Sequence, residues 1–162
     1  MDKILVVDDE ADIRRAFHRN LTSDALQVVD AANGDEAIRM IAKERPSLVI
    51  MDIRMGTTNG LDTLRKLRDL DPKLLVIMMT AYGTTQTAIE AMKLGAYDYV
   101  LKPLDVPKLK ALIDSALKAA HDMREVVSYQ PLLASEDYAE GIVAPTTISV
   151  AWERLPFVPD AL

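Results

Sequence analysis

The sequence predicts an α/β fold, a doubly wound five-stranded parallel sheet with helices on both faces. Three observations predict it. Short, continuously apolar runs recur along the first 101 residues, each of strand length. Amphipathic stretches of helical spacing separate them, and the alternation is strict from residue 4 to about residue 120. Continuous apolar character marks strands covered on both faces, as parallel strands are, and strict β-α alternation implies right-handed crossovers onto one sheet.

The predicted strands are Ile4–Val7, Gln27–Val29, Leu48–Met51, Leu74–Met79 and Tyr97–Leu101. Between them, Ile13, Ala16, Phe17 and Leu21 share a helical face, as do Ala37, Ile38 and Ile41, and then Leu61, Leu64, Leu67 and Leu70. A fourth helix is expected over Thr84–Leu94 with Gly95 as its stop, and a fifth places Leu109, Leu112, Ile113, Ala116, Leu117 and Ala120 on one side. Asn33 and Asp105 have the side chains of N-caps, and Pro107 suits a first helical turn. The expected strand order is the flavodoxin-like 2-1-3-4-5, in which function gathers at the carboxyl ends of the strands.

The chain has 162 residues, of which 49% are hydrophobic and 27% charged, ordinary proportions for a globular domain. It contains no cysteine, which excludes disulfides, thiolate nucleophiles and cysteine metal sites. No apolar run is long enough to span a bilayer and no secretory leader is evident, so no membrane association and a cytoplasmic location are expected. Net charge is −6, with 20 acids against 18 bases in residues 1–127 and 5 against 1 in residues 128–162. No basic stripe is present, so no direct nucleic acid binding by this chain is expected.

The polar residues at the strand ends carry the chemistry. Asp8 and Asp9 follow the first strand, Asp52 the third, Thr80 the fourth and Lys102 the fifth. In the expected strand order they converge on one edge of the sheet. Single aspartates after strands are often helix caps; the whole set is better explained as a site. Three close carboxylates repel one another, and a hard divalent cation such as Mg²⁺, with Mn²⁺ as an alternative, relieves that repulsion. Asp9 and Asp52 would ligate directly and Asp8 through water. On this reasoning Asp52→Asn would stabilise the metal-free form. Asp52 is then a carboxylate nucleophile for a phosphoryl donor, Lys102 a fixed positive charge and Thr80 a hydroxyl donor. A phosphatase of the haloacid dehalogenase type also uses an aspartate nucleophile, but it needs that nucleophile after the first strand and a second aspartate two residues on, where this chain has Arg54.

The segments Ile4-Leu-Val-Val-Asp-Asp-Glu10, Leu48-Val-Ile-Met-Asp-Ile-Arg-Met55, Met79-Thr-Ala-Tyr-Gly83 and Asp98-Tyr-Val-Leu-Lys-Pro103 closely resemble the receiver domain of bacterial two-component response regulators. The resemblance covers residues 3 to about 120. It implies a regulatory domain, not an enzyme with an external substrate, that catalyses only its own phosphorylation and dephosphorylation. Asp52 would take the phosphoryl group from the phosphohistidine of a sensor histidine kinase or from acetyl phosphate. Asp8, Asp9 and Asp52 would hold Mg²⁺ together with the backbone carbonyl of Arg54, and Lys102–Pro103 would be a cis peptide. Thr80 and Tyr99 would form the switch, acting on a surface of helix 4, strand 5 and helix 5 through which receivers form homodimers.

One departure stands out. Many relatives carry Met-Pro-Gly-Met-Asn-Gly after the acceptor strand, whereas this chain reads Met55-Gly56-Thr57-Thr58-Asn59-Gly60, which suggests a looser loop. The stretch Thr80–Glu90 resembles the receivers of enhancer-binding (alternative sigma factor) transcription activators. Neither the phosphate-loop pattern of their ATPase domain nor a DNA-binding domain is found in these 162 residues. The organisation expected is a receiver domain over 1–120, a helical extension of helix 5 over 121–127, and a linker or a truncated, aberrant tail over 128–162. Trp152 and Phe157 in that tail are candidates for a partner-binding segment. His18 and His121 read as surface residues, and Met51, Met55, Met78, Met79 and Met92 as core or loop filling.

Overall fold

The computed structural model describes residues 1–81 and 83–140, with side chains up to Glu125. The chain divides into two units, Met1–His121 and Asp122–Leu162. In the first, five strands, β1 (Asp2–Val7), β2 (Leu26–Ala31), β3 (Leu48–Asp52), β4 (Leu75–Thr80) and β5 (Asp98–Leu101), form one parallel sheet in the order β2-β1-β3-β4-β5. This is the expected flavodoxin-like order. The connecting helices are α1 (Ala11–Leu21), α2 (Gly34–Glu44), α3 (Gly60–Leu70) and α4 (Thr85–Lys93).

The continuous apolar runs explain the double winding. Along β1, Leu5 and Val7 face one layer while Ile4 and Val6 face the other, because side chains alternate across a strand. Leu5, Val7, Val49, Met51, Val76 and Met78 pack with Ala37 of α2, Leu61, Leu64 and Leu67 of α3 and Ala91 of α4. Ile4, Val6, Leu48, Ile50, Ile77 and Met79 pack with Phe17 and Leu21 of α1 and with Leu109, Ile113 and Ala116 of the fifth helix, α5 (Val106–Glu140).

Local chemistry sets the helix boundaries. Asn33 caps α2 by accepting from the Glu36 N–H, Asp105 accepts from the Lys108 N–H at the start of α5, and Gly95 at φ +95° follows the end of α4. Two caps were not anticipated. Asn59 accepts from the Leu61 N–H, and Thr84 forms a reciprocal capping box with Thr87. Asp8 and Asp9 do not cap α1; the capping position is Glu10, which makes no side-chain capping bond.

Some expectations differ from the structure. Leu70 is exposed at the last turn of α3, one turn beyond the layer that covers Leu67, and Met92 is exposed on α4 while the other four methionines named above are buried. The Met55–Gly60 segment has a defined turn. Arg54–Met55 and Thr58–Asn59 pair as a two-residue antiparallel hairpin. Gly56 takes φ +59° at its first turn position, as the Gly-first turns of tight hairpins require. Proline, fixed near φ −65°, has no access to that conformation, so the loss of proline here accompanies a different turn.

The backbone of α5 is helical to Glu140, past the extension expected over 121–127 and through Pro131. Residues 141–162, with Trp152 and Phe157, lie outside the described residues. Among the described residues no helix is long and apolar enough to cross a membrane.

Candidate functional site

Parallel pairing in register brings the strand ends to one edge. Val7 lies opposite Met51, Asp52 opposite Met79, and Thr80 opposite Leu101. The ladder runs slightly past each strand: the Asp8 N–H donates to Ala31, Ile53 to Met79 and Lys102 to Thr80. Asp8, Asp52 and Thr80 are all buried there, in a cluster of polar groups that an ordinary core would not tolerate without partners.

The partner is Lys102. Its Nζ donates to Asp8 Oδ2 at 2.8 Å and to Asp52 Oδ2 at 2.7 Å. Burial works against the lysine's charge, but its hydrogen bonds to Asp52 and Asp8 and their negative charges outweigh it and hold the ammonium above its ordinary pKa. The remaining carboxylate oxygens are also occupied. Asp8 Oδ1 accepts from the Glu10 N–H at 2.9 Å, and Asp52 Oδ1 accepts from the Arg54 N–H at 3.1 Å. The Lys102–Pro103 peptide that ends β5 is cis.

Gly60 sets the height of the Asp52 main chain. A Cβ at this position would stand 2.2 Å from the Asp52 carbonyl oxygen, and the Gly60 N–H donates to Ile53 O at 2.6 Å. Any side chain at residue 60 pushes directly against the Asp52 main chain.

The acidic group suited to a cation comprises Asp8, Asp9 and Glu10, one carboxylate oxygen of each lying within 4.8 Å of the others. Three hard oxygen donors, one on a buried and two on exposed residues, fit Mg²⁺ or Mn²⁺. Glu10 was not among the sequence candidates, although its place directly after the aspartate pair was a usable signal. Asp52 is not in this trio; the structure joins it to Asp8 through the Lys102 ammonium.

Tyr99 lies on β5 with its side chain packed against the α2–α3–α4 layer. Its hydroxyl is buried without a hydrogen-bond partner among the described residues. Gly83 leaves it room: a Cβ there would come within 2.5 Å of the Tyr99 hydroxyl. The two histidines lie away from the strand-end cluster, His18 at 3.8 Å from Asp30 and His121 at 2.9 Å from Asp2.

Comparison with known proteins places this geometry in context. Residues 4–114 match the response regulator receiver domain. The chain is 36% identical over 126 residues to the regulatory protein AtoC of Escherichia coli, covering 78% of this chain and 27% of that protein. Among solved structures, NtrX from Brucella abortus superposes with a TM-score of 0.72 at 33% identity, over 79% of this chain and 30% of that one. A CheY-like receiver domain protein from Methanospirillum hungatei also gives 0.72, at 27% identity, over 76% of this chain and 98% of that one. The chain thus spans about a quarter of the length of AtoC and nearly all of a single receiver.

Proposed function

The chain belongs to the response regulator receiver domain family, a regulatory family, and from that premise we propose that Asp52 accepts a phosphoryl group from the phosphohistidine of a sensor histidine kinase. The observation that carries the proposal is the pairing of Asp52 with Lys102 at 2.7 Å in a buried pocket that also holds Asp8. A carboxylate oxygen of Asp52 attacks phosphorus, the P–N bond to the kinase imidazole breaks, and the nitrogen leaves with the bonding pair. The product is an acyl phosphate on Asp52.

Asp8, Asp9 and Asp52, with the Arg54 carbonyl, are the groups proposed to hold Mg²⁺, and Glu10 stands beside them. Bound there, Mg²⁺ supplies positive charge to the phosphoryl oxygens. Lys102, already charged and aimed at Asp52, exchanges part of its contact with the carboxylates for the incoming oxygens at little reorganisation cost. Thr80, at the end of the adjoining strand, donates its hydroxyl to a phosphoryl oxygen.

The added group brings about −1.5 to −2 charges and three acceptors. Tyr99 is the proposed second half of the switch. A buried hydroxyl without a partner costs about 1–3 kcal/mol, so this ring position is readily exchanged for another. The readout is the surface of α4, β5 and α5, where Ile89, Met92 and Leu101 are exposed, and where a homodimer would form. No direct contact with nucleic acid and a cytoplasmic site of action complete the proposal.

The test is incubation of the intact chain with Mg²⁺ and acetyl phosphate, followed by intact mass. A gain of one phosphoryl group in the native chain and none in Asp52→Asn is expected. An equal gain in Asp52→Asn, or steady turnover of a simple phosphomonoester, would overturn the assignment.

A further inference from the structure

The main chain of Asp8 leaves the sheet at the point where the site begins. The Asp8 N–H donates to Ala31, the last residue of β2, so the Asp8 carbonyl faces the same way, past the end of that strand, where the β1–β2 ladder has stopped. Asp8 is nonetheless fully buried. Its carbonyl is taken by Arg14 of α1, whose Nη1 donates to it at 2.7 Å, while Nε of the same guanidinium donates to Asp30 Oδ2 at 2.9 Å. Asp30 lies on β2 opposite Val6, immediately before Ala31, which accepts the Asp8 N–H. One planar group therefore joins the end of β1 to the end of β2, and the Arg14 side chain is only 19% exposed.

With that bond, every polar atom of Asp8 is engaged. Its N–H goes to Ala31, its carbonyl to Arg14, Oδ1 to the Glu10 N–H and Oδ2 to Lys102. The peptide between Asp8 and Asp9 cannot rotate without breaking one of these, and the carboxylates of Asp9 and Glu10 follow that peptide.

We infer that Arg14, oriented by Asp30, is a positioning residue for the phosphoryl site, holding the Asp8 main chain and thereby the acidic group formed by Asp8, Asp9 and Glu10. The inference rests on the receiver reading above and adds residues to it that touch neither phosphate nor cation. Lysine is not an equivalent here. It carries the charge but not the fork that reaches two partners at fixed geometry. Partners that orient metal-binding groups in this way are typically worth about 10- to 100-fold in metal affinity or activity.

The experiment uses the intact chain and three variants, Arg14→Ala, Arg14→Lys and Asp30→Asn, below the melting temperature of each. Mg²⁺ affinity is measured by titration calorimetry, and the rate of phosphorylation by acetyl phosphate is measured across Mg²⁺ concentrations. Both Arg14 variants are expected to bind Mg²⁺ about tenfold or more weakly. They should react slowly at low Mg²⁺ and recover most of the native rate at saturation, with Asp30→Asn showing a smaller effect of the same kind. A role in stability alone would lower the melting temperature and leave affinity unchanged. Native Mg²⁺ affinity in folded Arg14→Lys, or in Asp30→Asn together with Arg14→Ala, overturns the inference. Failure of the native chain to take up phosphate would instead overturn the receiver reading, since it involves no variant of Arg14.

Discussion

The ammonium of Lys102 stands between two buried carboxylates, 2.8 Å from Asp8 and 2.7 Å from Asp52. This changes the expectation for the metal-free pocket. Repulsion among carboxylates that lack a counter-charge would make Asp52→Asn stabilising. With Lys102 in place, Asp52→Asn also removes one of the lysine's two ion pairs, so the gain is offset. The sharper test is Lys102→Met. Deleting one partner of a buried ion pair typically costs about 3–5 kcal/mol because the other charge is left behind, and Mg²⁺ should restore part of it. The pH dependence follows from the raised pKa of Lys102. The lysine's contribution is complete below its ordinary value of 10.5 and is lost as pH rises through its higher value in the folded protein. Urea denaturation from pH 8 to 11.5 should therefore show the native chain losing its advantage over Lys102→Met at the alkaline end. A constant difference across that range would contradict the ion-pair account.

At the scale of elements, the hairpin Arg54–Asn59 and the start of α3 abut the end of β3. Gly60 closes this turn against the Asp52 carbonyl. Gly60→Ala is expected to cost about 1–3 kcal/mol through overpacking and to slow phosphorylation even where the protein is fully folded. Unchanged kinetics in the folded variant would mean that the strand end adjusts without disturbing Asp52. The hairpin was not legible in the sequence because two-residue strands have no periodicity to detect and the signal rests on one glycine's backbone angle. The three central strands were legible because their buried runs, Ile4–Val7, Leu48–Met51 and Val76–Met79, are apolar at every position, whereas the edge strands β2 and β5 are only partly buried and carry Asp30 and Asp98. Leu70 kept the helical spacing of α3 yet lies beyond the packed layer, which periodicity alone does not reveal.

For the whole molecule, the sheet order turns scattered residues into a site. Asp8, Asp52, Thr80 and Lys102 were readable because each follows an apolar run, and a parallel sheet collects such positions on one edge. The Arg14–Asp30 link was not readable, since it ends on a backbone carbonyl and joins a helix to two strands. Glu10 was adjacent to the recognised pair but was not singled out. Ile89, Met92 and Leu101 are exposed on α4 and β5. If the α4–β5–α5 face pairs on phosphorylation, light scattering should show the intact chain shifting toward a dimer with acetyl phosphate and Mg²⁺, and Ile89→Glu remaining monomeric under the same conditions. A native chain whose mass does not change, or a variant that dimerises equally, would exclude this face.

The claim on which all of this depends is that Asp52 itself carries the phosphoryl group. Borohydride reduces an aspartyl phosphate to homoserine, so the chain treated with Mg²⁺ and acetyl phosphate, then reduced and digested, reports the residue directly. The account predicts homoserine at position 52 and aspartate at positions 8 and 9; homoserine at 8 or 9, or at none of the three after a measured phosphoryl gain, would contradict it.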